Sequence, residues 1–263
     1  MNYGMPTLIE LPDIEDCAAL CKALGLQFIE FNMNLPQYQP DTMDEKRLAR
    51  TAREYGIFYT IHLDENMNVA DFNPYVVEGY FRTVRETIDL AKRLEIPVLN
   101  MHLSRGVHFT LPDRKVFLFD QYREHYLRGI TAFRDLCADA IGDAPIQVCT
   151  ENYSGYTDFQ KEALEVLLEK DCFGLTLDVG HNHCTDYVDE PVVLAHADRL
   201  RHFHIHDVQG KRDHQALGTG DVDLNKYFAL AQKHGCTVLL ETKTIAGLKA
   251  SAAWLKSHRP QNR

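Results

Sequence analysis

One unit recurs eight times along the chain: a short run rich in β-branched and aromatic residues, followed by a longer stretch with helical spacing. The strand-like runs are TLIEL (7–11), QFIEFN (27–32), FYTIHL (58–63), VLNMHL (98–103), IQVCTEN (146–152), FGLTLD (173–178), RHFHIH (201–206) and TVLLET (237–242). Helical stretches lie at 13–24, 44–55, 74–94, 121–141, 158–169, 190–199, 223–234 and 246–257. In the third, Val77, Phe81, Val84, Ile88 and Ala91 step by four and three, so they share one face able to cover a sheet. Gly25, Gly56 and Gly235 follow three of the helices, where a left-handed residue ends a helix with least strain. Each crossover is long enough to join parallel neighbours, and no Pro-, Gly- or Ser-rich linker divides the 263 residues. The pattern predicts a closed (β/α)8 TIM barrel, α/β in class, as a single domain over 1–263. An open doubly wound sheet would place a glycine-rich phosphate loop after its first strand; LPDIED stands there instead.

Alternate residues of a strand point the same way, so parity sorts the barrel's inside from its outside. Tyr59, Ile61 and Leu63 oppose Thr60 and His62; Leu99, Met101 and Leu103 oppose Asn100 and His102. Ile146 and Val148 oppose Cys149 and Glu151, Leu175 and Leu177 oppose Thr176 and Asp178, and Val238 and Leu240 oppose Leu239 and Glu241. In each strand the apolar set can face helices, while the other set ends in an ionisable residue at the carboxyl end, where barrel enzymes build their sites. Glu151, Asp178 and Glu241 would then meet in one mouth. Three carboxylates drawn out of water repel one another and lose hydration, and a divalent cation is the simplest compensation.

His202, His204 and His206 of strand seven share the inward parity. Consecutive ones are separated by about 6.6 Å and the outer two by about 13 Å, whereas metal–nitrogen bonds are about 2.0 to 2.1 Å. The three therefore cannot converge on one ion. His202 reads as a deep interior histidine held by hydrogen bonds, His204 as the one level with the carboxylates, and His206 with Asp207 as a rim that orients substrate or supports the ligands. In LDVGH, His181 follows Asp178 by three residues, with Gly180 allowing a sharp bend; His183 should be exposed.

With 28 basic and 38 acidic residues the net charge is −10, which gives no general attraction for nucleic acid. No apolar run is long enough to span a bilayer, and MNYGMPTLIEL lacks the form of a secretory signal, so no membrane partner and a cytoplasmic location are expected. Seven scattered cysteines without C-x-x-C argue against a disulfide framework, and Cys17 and Cys21 should be buried.

TENY at strand five, LDVGH at strand six, HFHIHDVQGKRDHQALGTGDVD from strand seven and LLETK at strand eight resemble the xylose isomerase-like TIM-barrel superfamily. Within it they are most similar to the sugar phosphate isomerase/epimerase group, with endonuclease IV as a more distant relative. The resemblance covers nearly the whole chain. It implies one divalent metal, manganese first, with zinc, magnesium or cobalt as alternatives, held by Glu151, Asp178, His204 and Glu241. It also implies that Glu151 and Glu241 serve as acid and base and that His181 contacts substrate oxygens. By similarity to endonuclease IV, His62, His102, His181 and His214 would hold further metal or substrate. One ligand of that cluster departs: Arg212 stands where the relative has an aspartate, and a guanidinium cannot bind a metal; Asp213 is out of step by one.

The expected function is a divalent-metal-dependent isomerase or epimerase of a small sugar, ketose or keto-polyol, acting through proton abstraction and a stabilised enediolate. Dehydration through the same enediolate, an endonuclease IV-like multinuclear phosphoester hydrolase, and a non-catalytic binding role are the alternatives. A homo-oligomer is compatible with the sequence. Arg105, Lys211 and Arg212 lie in the long loops 104–120 and 207–222 and, with His206, could hold a substrate phosphate or carboxylate. Phe109, Phe117, Phe119 and Tyr122 could form a lid over a sugar ring or pack onto the barrel.

Overall fold

The computed structural model describes residues 1–258; the end of the expected domain, 259–263, lies outside the described residues. Eight strands form the barrel: β1 (Tyr3–Pro6), β2 (Phe28–Asn32), β3 (Phe58–His62), β4 (Val98–His102), β5 (Gln147–Glu151), β6 (Phe173–Asp178), β7 (Leu200–Ile205) and β8 (Thr237–Leu240). Each pairs in parallel with its sequence neighbours, and β8 returns to β1 through Tyr3 opposite Val238, closing the sheet. Helices alternate with the strands around the outside, as the eightfold repeat requires.

The inward and outward sets separate as parity dictates. Ile29, Phe31, Tyr59, Ile61, Leu99, Met101, Val148, Leu175, Leu177, Phe203, Ile205, Val238 and Leu240 are buried in the apolar core. Each such side chain contributes roughly 1.5 to 3 kcal/mol of burial, offset by the ordering of the chain. On helix Pro74–Arg93, Val84, Ile88 and Ala91 are fully covered while Val77 and Phe81, nearer its start, are half-buried. Gly25, Gly56 and Gly235 end their helices at φ of 74°, 65° and 66°. Cys17 and Cys21 are buried.

The first strand departs from expectation. It is YGMP at 3–6, while TLIEL at 7–11 forms the loop after it, with Ile9 83 % exposed. Hydrophobic content drew the reading to the wrong segment, because a glycine and a proline weaken the strand signal of the true one. Two expected loops also carry structure. Residues 108–110 and 115–117 form a hairpin after β4, and 207–209 pairs with 212–215 after β7. A short helix, Val179–Cys184, begins directly where β6 ends.

Candidate active site

The barrel interior is layered. Its floor sets Phe28 against Phe58 and His202 at centroid distances of 5.2 and 5.8 Å. Above the floor lies Glu30, a fully buried carboxylate that accepts from Thr60 Oγ1 at 2.9 Å. Its Oε2 is 3.2 Å from His202 Nε2 and its Oε1 is 3.0 Å from His204 Nε2. Burial raises the Glu30 carboxyl, but the charges and bonds of His204 and His202 outweigh it and hold the group well below the usual carboxylate range. His202 is pulled below its ordinary value by burial and meets Thr237 Oγ1 through Nδ1 at 2.5 Å. The deep-histidine reading of His202 is thus matched by its contacts.

At the next level, donor atoms of Glu151, Asp178, His204 and Glu241 lie within 4.8 Å of one another, all four residues buried. His204 Nδ1 is 3.2 Å from Glu151 Oε1 and 3.2 Å from Glu241 Oε2, so the two glutamates flank it. Among the described residues, His204 Nδ1 and Glu241 Oε2 have no hydrogen bond despite their burial. Close, unaligned and desolvated donors of both N and O type fit a divalent cation between them. Burial raises Glu151 and Glu241, yet His204 and, respectively, His102 and Lys243 hold both well below ordinary carboxylates. Burial lowers His204, and facing Glu151, Glu30 and Glu241 push it well above an ordinary histidine.

Two histidine groups adjoin this quartet. His62 and His102 place Nε2 at 3.4 and 3.2 Å from Glu151 Oε2, and Asn100 Nδ2 donates to the same oxygen. His62 Nδ1 lies 2.7 Å from the Leu63 carbonyl and donates to it, which turns Nε2 inward toward Glu151; burial lowers the ring, but Glu151 and Glu30 raise it above an ordinary histidine. On the other side, His181 Nδ1 is 3.6 Å from both Glu151 and Asp178. Burial lowers His181, but Asp178 and Glu151 carry it to about 10. His214 joins from the second hairpin, its Nε2 3.7 Å from Glu241 Oε1.

Arg212, which stands where the endonuclease IV pattern has an aspartate, points to the hairpin surface, while the next residue turns toward the histidines. Asp213 Oδ1 lies 3.0 Å from His214 Nδ1 and Oδ2 3.9 Å from His181 Nε2. His214 takes a φ of 53°, a strained value for a non-glycine residue. Stacking on His206 at 4.3 Å and donation from its own N–H to His206 Nδ1 at 2.8 Å hold it there.

That bond also assigns His206. With Nδ1 accepting, Nε2 carries the proton and faces Asp178 at 3.1 Å, so His206 is a buried support for the Asp178 carboxylate. Gly180 follows from the same packing, correcting the idea of a sharp bend. It sits in helix Val179–Cys184 and a Cβ there would fall 1.9 Å from His206 Cε1. Asp178 caps that helix by accepting from the His181 N–H at 2.6 Å. His183 is half-buried against Tyr187.

Asp207 is likewise no rim residue. It is buried and accepts from the N–H groups of Val208, Gly218, Gly220 and Val222 at 2.9, 2.9, 2.9 and 3.1 Å. The glycines of LGTGDVD let the backbone close on it: a Cβ at Gly220 would meet the Val208 carbonyl at 2.1 Å.

The cations expected to hold an anionic substrate are engaged elsewhere. Arg105 Nη2 donates to the Ser154 and Gly155 carbonyls, Lys211 to the Cys184 carbonyl and Asp186, and Arg212 to Gln209 on the hairpin surface. Of the lid aromatics, Phe119 is core, packed on Tyr126 at 4.6 Å, Phe117 is half-buried, and Phe109 and Tyr122 are exposed. A cavity of about 190 Å³ opens at the mouth, lined by Thr7, Glu30, Asn32, Asn34, His62, Glu241 and Lys243 among others. Sequence reasoning passed over Glu30 and Lys243. The signals were a carboxylate between apolar neighbours at an inward position of β2, and a lysine two residues beyond Glu241.

The model of a family described as xylose isomerase-like TIM barrel matches residues 18–258. An uncharacterized protein of Methanocaldococcus jannaschii is 25% identical over 183 residues, 67% of this chain and 66% of that protein; the match covers just under two thirds of that relative's length. Among solved structures, a D-tagatose 3-epimerase-like protein superposes with a TM-score of 0.78 at 20% identity, covering 98% of this chain and 96% of that one. The D-allulose 3-epimerase of Methylomonas sp. in complex with D-allulose gives 0.74 at 18% identity, covering 99% and 97%. Among the described residues no helix is long and apolar enough to cross a membrane.

Proposed function

This chain belongs to the xylose isomerase-like TIM barrel family, and from that premise we propose that it is a divalent-metal-dependent isomerase or epimerase of a small hydroxy-carbonyl compound of the sugar class. One observation carries the reading: Glu151 and Glu241 stand on either side of His204 Nδ1, each at 3.2 Å, with Asp178 completing a buried set of donors. Glu151, Asp178, His204 and Glu241 would hold the ion, which supplies the positive charge that makes a carbon-bound proton beside a carbonyl acidic. Manganese suits three carboxylates and one imidazole, and zinc is the nearest competitor.

Glu151 ends β5 and Glu241 directly follows β8, so the two glutamates approach from different directions. One carboxylate oxygen takes the proton from carbon and the other glutamate returns one. Return to the opposite face inverts the centre, and return to the neighbouring carbon isomerises. In the free chain the surrounding histidines keep both ionised, which suits the base. The partner glutamate must take up a proton from solvent before it can deliver one to carbon, and the base gives its own back to solvent afterwards. His181, close to both Glu151 and Asp178, is placed to donate to an oxygen that gains charge as the enediolate forms. The likeness to a D-tagatose 3-epimerase-like protein and a D-allulose 3-epimerase supports this class of substrate.

A multinuclear phosphoester hydrolase is the second reading, favoured by the group His62, His102 and Glu151, whose donors also lie within 4.8 Å of one another. In the group His181, His206 and His214, likewise that close, both nitrogens of His206 are already engaged. The net charge of −10 weighs against a polyanionic substrate. Incubation of the metal-loaded protein with a panel of ketoses and inososes in deuterated water separates them. Deuterium should enter carbon, and Glu151→Gln or Glu241→Gln should slow this by roughly 100-fold or more. Phosphate release from an ester without carbon exchange, with two or three ions per chain, would establish the hydrolase instead.

A further inference from the structure

Lys243 leaves β8 two residues after Glu241 and reaches back over it, donating from Nζ to Glu241 Oε1 at 2.7 Å. Its side chain remains 53 % exposed. It lines the mouth cavity of about 190 Å³ together with Glu241, His62 and Glu30, and among the described residues the cavity's lining includes no other lysine or arginine. An ammonium has three protons to donate, and one is used on Glu241. The remainder face a space bordered by the polar ends of Thr7, Asn32 and Asn34 and by the apolar Leu8, Ile9 and Leu35.

The charge balance of the mouth gives this lysine its meaning. Glu30 and Glu241 line the cavity, and Glu151 and Asp178 lie beside Glu241. Histidines and the proposed ion offset these charges inside the barrel, while at the cavity itself Lys243 is the cation placed to meet an anionic substrate. A neutral ketose offers the remaining donors only uncharged hydroxyl and carbonyl oxygens, which bind an ammonium more weakly than a carboxylate does. Of the basic side chains expected from sequence to meet a substrate anion, Arg105, Lys211 and Arg212 bond instead to carbonyls, Asp186 or Gln209.

We propose that Lys243 is the specificity-determining residue of this site and that the substrate is a small hydroxy-keto acid, its carboxylate bound by Lys243 Nζ and its enolisable carbon directed between Glu151 and Glu241. This rests on the enolisation chemistry proposed above and narrows its substrate class. A carboxylate rather than a phosphate is specified, because one partly engaged ammonium balances a single negative charge, whereas phosphate sites gather several cations or a run of backbone N–H groups.

The test uses three small probes with the same enolisable hydroxy-carbonyl carbon. Hydroxypyruvate carries the carboxylate, dihydroxyacetone is neutral, and dihydroxyacetone phosphate carries the phosphate. Deuterium uptake at carbon is followed by proton NMR in deuterated water with manganese-loaded protein, each rate divided by its protein-free rate. Hydroxypyruvate should exceed dihydroxyacetone by about tenfold or more in kcat/KM, the scale of one hydrogen bond to a charged group. In Lys243→Met and Lys243→Gln that ratio should collapse toward one, and Lys243→Arg should restore most of it. A lysine that merely props Glu241 would slow both compounds alike and leave the ratio intact, which overturns the proposal. Faster exchange of dihydroxyacetone, or of its phosphate, also overturns it while leaving the enolisation reading in place. Absence of exchange from all three overturns both.

Discussion

Between residues 104 and 120 the chain leaves β4 as a hairpin whose first strand is wholly exposed, with Val107, Phe109 and Leu111 facing outward. Between 207 and 222 it leaves β7 as a hairpin sewn to the barrel, with Asp207 buried under four N–H donors and His214 laid on His206. The loops are of similar length and occupy the same end of the barrel. One is anchored chiefly by aromatic packing near its end, Phe117 and Phe119 against Phe159, the other by a buried carboxylate. Sites assembled from groups that must stay within a fraction of an ångström need the second construction, whereas a surface that opens and closes is drawn from the first.

The largest effect should follow from cutting that anchor. Asp207→Ala leaves four N–H groups without their acceptor, Val208 and Val222 among them buried. Loss of about 3 kcal/mol or more is expected, a fall in Tm of roughly 6 to 12 °C for a chain of this size. Manganese affinity should fall with it, since the support of Asp178 by His206 depends on the same hairpin. A variant with unchanged Tm in calorimetry would show that the two loops are held alike.

Glu30 tests the same contrast from below, where the site rests on strand rather than loop. Glu30→Gln keeps the shape but removes the charge that faces His204 Nε2 and His202 Nε2. Metal affinity should drop about 10- to 100-fold, read by competition with a chelator, while the far-UV CD spectrum is unchanged. Equal affinity would mean that Glu30 serves packing alone.

A smaller, pH-dependent effect follows from His181. Burial lowers it, the carboxylates of Asp178 and Glu151 more than reverse this, and it ends near about 10 against an unfolded 6.5. A raised value stabilises the metal-free chain fully below 6.5, and that contribution is lost as pH rises toward 10. A bound cation replaces the protons and favours neutral histidines. The gain in Tm on adding manganese should therefore grow from pH 6.5 up to about pH 9. A gain that shrinks over this range would contradict the assignment.

The barrel was legible because period and parity are local: alternation in β3 to β8 places Glu151, Asp178, His204 and Glu241 at one level without any knowledge of contacts. What escaped depends on which backbone comes close to which side chain. Asp207 reads as a polar residue after a strand, and only the folded loop shows that the glycines at 218 and 220 exist to bring N–H groups onto it. Glu30 lies mid-strand, away from the carboxyl end where ionisable residues draw notice, and its partners come from β7, nearly 175 residues later. Lys211 and Arg212 carry the right charge at the right end, but the direction of a long side chain in a hairpin is set by neighbours such as Asp186 and Gln209.

The smallest effect belongs to the untied hairpin. Phe109 is 58 % exposed, and its strand neighbours His108 and Thr110 are exposed too. Because little of the ring is removed from water in the free chain, Phe109→Ser should change stability by less than about 0.5 kcal/mol. Its partner in the hairpin register, Val116, is joined through backbone, which the substitution leaves intact. If this loop covers a bound substrate, the ring gains contacts only then, so KM rises while Tm and manganese affinity stay the same. That split separates the two hairpins by experiment: damage at Asp207 registers without substrate, and damage at Phe109 only with it. A Phe109→Ser protein with lowered Tm would place the first hairpin in the same structural class as the second.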